Sequence, residues 1–144
     1  MPLPPLTSKA SKARQVALGS QRLEDCALAI VAAVVSTPAP DRAVIDAGSK
    51  ALSADLRVVG LNGFGRVLGR DYLTVTRLSG EHAVLIAQEQ TKLIVGDRLL
   101  VIPTHACTVV NLHEALIRVS RDSLGKWLPI SARGWQEYAD RAES

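Results

Sequence analysis

Apolar residues along this chain occur in short runs separated by glycine, proline and polar turn residues. The first long run, ALAIVAAVVS at 27–36, contains several β-branched residues and is closed by a Thr-Pro-Ala-Pro segment. A continuous run of this kind is typical of a strand that is buried on both faces, although its alanine content also leaves a helix open. The strand-like part of the chain is therefore predicted to begin near Ala27.

Shorter apolar runs follow at short intervals, divided by Asn-Gly, Gly-Arg-Asp and Ser-Gly-Glu turn signals. They predict strands at 42–46, 56–60, 65–69, 72–78, 82–87, 97–103, 108–112, 115–120 and 126–131. A helical turn with Ser49 as its N-cap is predicted at 49–54, and only the tail from Trp135 to Ala142 is otherwise helical. Since no amphipathic helix is long enough for a crossover, the predicted fold is all-β. It is a small, mostly antiparallel barrel or sandwich with a short C-terminal helix.

Composition narrows the kind of core and the number of domains. Apolar residues make up 47% of the chain and aromatic residues only 3%, so the core must be aliphatic. A length of 144 residues suits one domain. We place that domain at 15–134, after a disordered, proline-containing leader at 1–14 and before a helical or frayed tail at 135–144.

Charge and hydropathy exclude several classes of partner. The net charge of +3 is scattered, which is a poor footprint for nucleic acid. The longest apolar run, 26–35, is about half a membrane span, and the first residues contain no apolar signal core. We therefore expect a cytoplasmic protein with neither nucleic acid nor membrane as a partner. Two cysteines are too few for a disulfide scaffold, and Cys26 is predicted to be an inert core residue.

The segment Pro-Thr-His-Ala-Cys at 103–107 is the sharpest candidate for chemistry. In a strand, positions i and i+2 face the same side, so His105 and Cys107 would project together as an imidazole and a thiolate, a pair that suits Zn²⁺. Two ligands are too few for a closed structural site and leave positions open for water or substrate. A satisfied histidine beside a buried cysteine is the alternative. His113 and Glu114, in the turn that follows, could approach the metal or simply face water.

Other polar groups suggest weaker sites. The segment Asp46-Ala47-Gly48-Ser49-Lys50 places an acid, a hydroxyl and a base close together, and a capped turn with a solvated lysine is the alternative. Glu81 and His82 form an acid–imidazole pair at a strand start, where such pairs are more often part of the surface.

Several segments in order resemble the C-terminal β-domain of the D-serine dehydratase and D-threonine aldolase family, which are fold-type III pyridoxal-phosphate enzymes. The resemblance runs from Gln15 to Gly134. DRAVIDAGSKALS at 41–53 and PTHACTVVNLHE at 103–114 make it specific. Two positions depart from the family pattern: Thr104 stands where Asn is common, and Ala83 where Gly usually follows the Glu-His pair. Neither departure removes a ligand.

The resemblance implies a two-domain enzyme in which an N-terminal barrel holds pyridoxal phosphate on a lysine and this β-domain carries the metal. It implies that His105 and Cys107 are zinc ligands, with His113, Glu114 and Asp46 as candidates for the residues around them. An acidic residue tends to replace the cysteine in the aldolase-like branch, so Cys107 points to the dehydratase-like branch. The implied reaction of the intact enzyme is β-elimination from a small D-hydroxy-amino acid, which gives pyruvate and ammonia.

The N-terminal barrel domain that holds the cofactor in this family has no counterpart in this sequence. Lys50 belongs to the β-domain motif and not to a cofactor site. We therefore expect no catalytic or cofactor-binding residue in this chain alone, and a missing or separate barrel domain as its partner. We also expect a homodimer formed through exposed strand edges. The alternative is a non-catalytic metal-binding or oligomerisation module.

Overall fold

A computed structural model describes residues 26–55, 62–120 and 123–131. This part of the chain contains eight strands and two short helices. The strands are β1 (Ile30–Ala39), β2 (Arg42–Ile45), β3 (Gly65–Val67), β4 (Leu73–Leu78), β5 (Ala83–Ala87), β6 (Arg98–Pro103), β7 (Ala115–Ser120) and β8 (Ser123–Pro129). The helices are α1 (Ser49–Leu52) and α2 (Ala106–Leu112).

The first six strands form a closed antiparallel barrel in the order β1-β2-β5-β4-β3-β6. The ring closes because β6 pairs with β1, where Ile30 lies opposite Val101, and also with β3, where Gly65 lies opposite Pro103. The strands β7 and β8 form a separate two-stranded antiparallel sheet. These findings confirm the predicted all-β, mostly antiparallel barrel.

The barrel interior is aliphatic, as the scarcity of aromatic residues requires. On β5, Ala83, Leu85 and Ala87 are buried while Ile86 is exposed, which is the period of two expected for a strand with one face in a core. The long strand β1 changes register near Ser36. Just after β2, the carboxylate of Asp46 accepts a hydrogen bond of 2.7 Å from the backbone N–H of Ala33 in β1.

Both helices lie at the same end of the barrel. The helix α2 follows β6, whose last residue, Pro103, lies opposite Gly65 at the start of β3. The helix α1 follows β2, whose last residue, Ile45, lies opposite Ala83 at the start of β5, and β3 and β5 begin at the same rim of this antiparallel barrel. Leu52 of α1 is fully buried and belongs to the barrel core, so this four-residue helix closes the end of the barrel. In α2, Ala106 and Val109 are buried on one side of the helix.

Three expectations about local structure need correction. Residues 108–112 belong to α2 and do not form the predicted strand, because β6 already ends its pairing at Pro103 and burial of Ala106 and Val109 requires helical spacing. The N-cap of α1 is Gly48, not Ser49, and no side chain caps this helix. The expected exposed edges do not exist on the barrel, since each of its six strands has two neighbours. The homodimer itself stays a prediction.

Some expectations fall outside the described residues: the leader at 1–14, the strand at 56–60 and the C-terminal helix at 135–142. Within the described ranges, no helix is long and apolar enough to cross a bilayer.

Candidate metal site

His105 and Cys107 lie at the junction between β6 and α2, at the rim of the barrel. His105 is the N-cap of α2 with an extended backbone, and Cys107 is the second residue of the helix. The geometric argument from a common strand face is therefore wrong, because the helix begins at Ala106. Cys107 is exposed, away from the buried side of α2. Zinc ligation by this pair stays a prediction.

A carboxylate that the sequence analysis did not single out lies beside His105. The Nδ1 atom of His105 is 3.2 Å from Oδ2 of Asp55, and the two residues are 50 positions apart in the chain. Both side chains are about two-fifths exposed, at 39% and 41%. Asp55 follows α1, so the contact depends on α1 and α2 lying at the same rim. Residues this far apart form no local sequence motif, so the sequence alone does not indicate that Asp55 contacts His105.

His113 lies at the other end of α2, where it is the C-cap residue. Its Nε2 atom is 3.2 Å from the carbonyl oxygen of Ala51 in α1. At 1.5 Å per residue, the eight positions from His105 to His113 correspond to about 12 Å along the helix. Glu114 is exposed next to His113, and its backbone carbonyl accepts a hydrogen bond from Ile130. Their place around the metal stays a prediction.

The polar residues of the segment 46–50 contact different parts of the barrel. Asp46 binds the backbone of Ala33, whereas Lys50 forms an exposed ion pair with Glu81 in the β4–β5 turn. The hydrogen bond from Lys50 to Glu81, together with the carboxylate charge, raises the pKa of Lys50 above 10.5. His82, next to Glu81, is exposed. The structure therefore does not bring Asp46 and Lys50 together as an acid–base pair.

Among the residues that the structure describes, no three His, Cys, Asp or Glu side chains are grouped so that they could hold a metal ion. The donor set at the start of α2 is nevertheless chemically suited to zinc, because it offers an imidazole and a thiol at an accessible rim. The carboxylate of Asp55 also lies where a partner of a metal-binding histidine is usually found, on the other ring nitrogen. The residues present therefore fit an open site with two protein ligands.

A surface cleft of about 270 Å³ is lined by Tyr72, Lys92 and residues 88–90. It lies at the opposite end of the barrel, where the β3–β4 turn and the segment between β5 and β6 meet. The cleft is thus distant from His105 and Cys107.

The family model described as "Putative serine dehydratase domain" matches residues 27–119. The match includes the whole barrel, both helices and the pair His105 and Cys107. The chain belongs to this family. The family that the sequence resemblance predicted is thereby confirmed.

Two relatives of this serine dehydratase-family chain differ greatly in length. A Mycobacterium tuberculosis protein described as "Uncharacterized protein" is 36% identical over 129 residues, which cover 85% of this chain and 95% of that protein. The 3-hydroxy-D-aspartate aldolase of Paracoccus denitrificans is 35% identical over 108 residues, which cover 75% of this chain but 26% of the aldolase. The chain therefore spans nearly all of the first relative and about a quarter of the second.

Solved structures of the family contain the same fold. The D-threo-3-hydroxyaspartate dehydratase from Delftia sp. HT23 matches with a TM-score of 0.76 and 25% identity, over 87% of this chain and 37% of the dehydratase. Two further structures of a D-threo-3-hydroxyaspartate dehydratase are of a His-to-Ala and a Cys-to-Ala variant. The two replaced residues are two positions apart, and the Cys variant is in a metal-free form.

Proposed function

We propose that this chain is the metal-carrying C-terminal β-domain of a pyridoxal-phosphate-dependent D-amino-acid lyase of the D-serine dehydratase type. The observation that carries the proposal is the accessible His105-x-Cys107 pair at the β6–α2 junction of a family-typical barrel. The dehydratase variants support it, because their replaced His and Cys have the same spacing and one of them is described as metal-free.

In this proposal His105 gives a ring nitrogen and Cys107 a thiolate, and the remaining positions are left to water and substrate. When bound in the intact enzyme, zinc supplies Lewis-acid polarisation of the substrate β-hydroxyl, and pyridoxal phosphate supplies the electron sink for Cα. The substrate is a small D-hydroxy-amino acid. The overall reaction removes the β-hydroxyl as water, and hydrolysis of the product gives pyruvate and ammonia.

In this proposal the lysine that binds pyridoxal phosphate belongs to the N-terminal barrel domain of the family, which is separate from the six-stranded barrel of this chain. Lys50 is a poor candidate, because its ammonium group is paired with Glu81 and its pKa is raised. A Schiff-base lysine needs a lowered pKa in order to be neutral and nucleophilic. The proposal therefore places metal binding in this chain and cofactor binding in its barrel partner.

Zinc analysis of the purified chain tests the metal assignment. With two protein ligands, the metal content after dialysis should be well below one per chain and should rise when zinc is added. His105→Ala and Cys107→Ser should each lower zinc binding, whereas Cys26→Ser replaces the other cysteine and should leave it unchanged. Zinc binding that is unaffected by both His105→Ala and Cys107→Ser would overturn the proposal.

The same purified chain tests whether the reaction requires the separate cofactor-binding domain. D-serine, pyridoxal phosphate and zinc added together with the chain should give no more pyruvate than the same mixture without the chain. Pyruvate above background that is lost in His105→Ala would show that the chain is catalytic without a barrel partner.

A second function is a non-catalytic metal-binding or oligomerisation module. It is favoured by the mycobacterial relative, in which the matched region makes up 95% of the protein. The two proposals differ in one result: a module binds zinc or self-associates, but it does not produce pyruvate when a cofactor-loaded barrel domain of the family is added.

A further inference from the structure

The hydrogen bond between Asp55 and His105 determines where the imidazole proton lies. An ionised carboxylate can only accept a hydrogen bond, so the Nδ1 atom that faces Asp55 Oδ2 at 3.2 Å must carry the hydrogen. In the neutral ring the other nitrogen, Nε2, then has a free lone pair. A metal ion needs that lone pair, because a protonated nitrogen cannot be a ligand.

His113 provides an internal comparison, because its ring has the opposite arrangement. Its Nε2 atom faces the carbonyl oxygen of Ala51 at 3.2 Å. A carbonyl oxygen can only accept, so Nε2 of His113 carries the hydrogen and is occupied by a backbone contact. The two histidines at the ends of α2 are therefore held in different tautomers, and only His105 keeps Nε2 available.

We propose that Asp55 is a positioning residue that holds His105 in the Nδ1–H tautomer and aims Nε2 at the metal. The inference rests on the proposed function, since it assigns a role to Asp55 at the same site. Metal-binding histidines commonly donate their other N–H to a carboxylate, which fixes the tautomer and the ring orientation. Asp55 and His105 are 50 positions apart in the chain, and the fold brings their side chains together at the barrel rim.

Nitrogen NMR of the metal-free protein reads the tautomer without any activity. In ¹⁵N-labelled protein at a pH where the ring is neutral, the hydrogen of His105 should be found on Nδ1, with the signal assigned by its loss in His105→Ala. In Asp55→Ala the ring should exchange between both tautomers, while the signals of His113 stay unchanged. A His105 ring that carries its hydrogen on Nε2 in the parent protein would overturn the inference.

Zinc titration against a competing chelator gives the second readout. Removal of a carboxylate that orients a ligand typically weakens metal affinity about 10–100-fold, and we expect a loss in this range for Asp55→Ala. Asp71→Ala is the matched control, because Asp71 is an exposed aspartate in the β3–β4 turn at the opposite end of the barrel. If Asp55→Ala does not fold, Asp55→Asn keeps the side-chain size and removes the carboxylate charge, and it should still reduce zinc affinity.

The outcomes separate the two proposals. If His105→Ala loses zinc while Asp55→Ala binds zinc like the parent and keeps the Nδ1–H tautomer, Asp55 has no positioning role and the metal site stands. If zinc binding survives both His105→Ala and Cys107→Ser, the metal assignment fails and the inference fails with it, whatever tautomer NMR finds.

Discussion

The backbone N–H of Ser49 donates a hydrogen bond of 2.8 Å to the carbonyl oxygen of Ser79 and so joins the start of α1 to the turn between β4 and β5. The next residue, Lys50, binds the carbonyl oxygen of Gly80 through its own N–H over 3.1 Å. Gly48 makes this approach possible. A Cβ atom at position 48 would lie 2.5 Å from the carbonyl oxygen of Gly80 and from the nitrogen of His82.

We therefore expect Gly48→Ala to destabilise the protein by about 1–3 kcal/mol, the usual range for atoms forced into a filled space. Chemical denaturation measures the loss. Gly80→Ala is the matched control, because only the flexible end of Lys50 lies near an added Cβ there, at 3.9 Å. Equal stability of the two variants would contradict this account of the α1 contact.

Buried and exposed side chains alternate along β5, so neighbouring residues should differ in how much stability is lost when they are truncated. Leu85 is 0% exposed inside the barrel, and Leu85→Ala should cost about 2–5 kcal/mol through lost burial and the cavity that remains. Ile86 points outward and is 36% exposed, so Ile86→Ala should cost clearly less. Denaturation curves compare the two variants, and a larger loss for Ile86→Ala would contradict the direction of the barrel interior.

The ion pair between Lys50 and Glu81 gives a pH-dependent contribution to stability. Because the pKa of Lys50 is raised above 10.5 in the folded state, this contribution is complete below that value. It is lost as the pH rises through the raised pKa of the folded protein. The side chains of Lys50 and Glu81 are 72% and 65% exposed, so solvent screens the pair and the effect should be small.

Glu81→Gln should therefore be slightly less stable than the parent near neutral pH and equal to it once Lys50 is deprotonated. Urea denaturation across the alkaline range measures the difference. Glu89→Gln, which removes an exposed carboxylate at the other rim, should show no such convergence. A stability difference for Glu81→Gln that grows as Lys50 loses its proton would contradict the assignment.

Self-association should involve the separate β7–β8 sheet rather than the barrel strands. Ile117 and Trp127 lie opposite each other in this sheet and are 50% and 70% exposed, which places two large apolar side chains on one face. Light scattering across a concentration series should show a dimer for the parent chain. Trp127→Lys should shift it toward the monomer, whereas Ile94→Lys changes another exposed apolar residue and should not.

A monodisperse 15.4 kDa species that persists at high concentration would contradict the predicted dimer. If the dimer persists in Trp127→Lys, the face that contains Ile117 and Trp127 does not form the dimer contact.

The sequence predicted the barrel strands because their apolar runs are short and the turns between them carry Gly, Asn and Asp. It predicted α2 wrongly, because Thr108, Val109 and Val110 are β-branched and favour a strand by local preference. The end of β6 and the burial of Val109 override that preference in the folded protein.

The candidate site was predictable only in part. His105 and Cys107 are close in sequence, so their spacing makes them visible together. Asp55 is 50 positions from His105, and the partner of His113 is a backbone carbonyl, which leaves no trace in the residue types. Contacts of this kind arise from the arrangement of α1 and α2 at one rim, and local patterns carry no information about them.

The pairing of Ile30 with Val101 also has a consequence for how the protein is made. On a ribosome that adds about 5–20 residues per second, β1 emerges several seconds before β6, its partner in closing the ring. During that interval one side of this apolar strand has no neighbour, and the nascent chain is most exposed to wrong pairing and to chaperones. His105 and Cys107 follow shortly after β6, so the proposed metal site could form only after synthesis has passed the point at which the barrel closes.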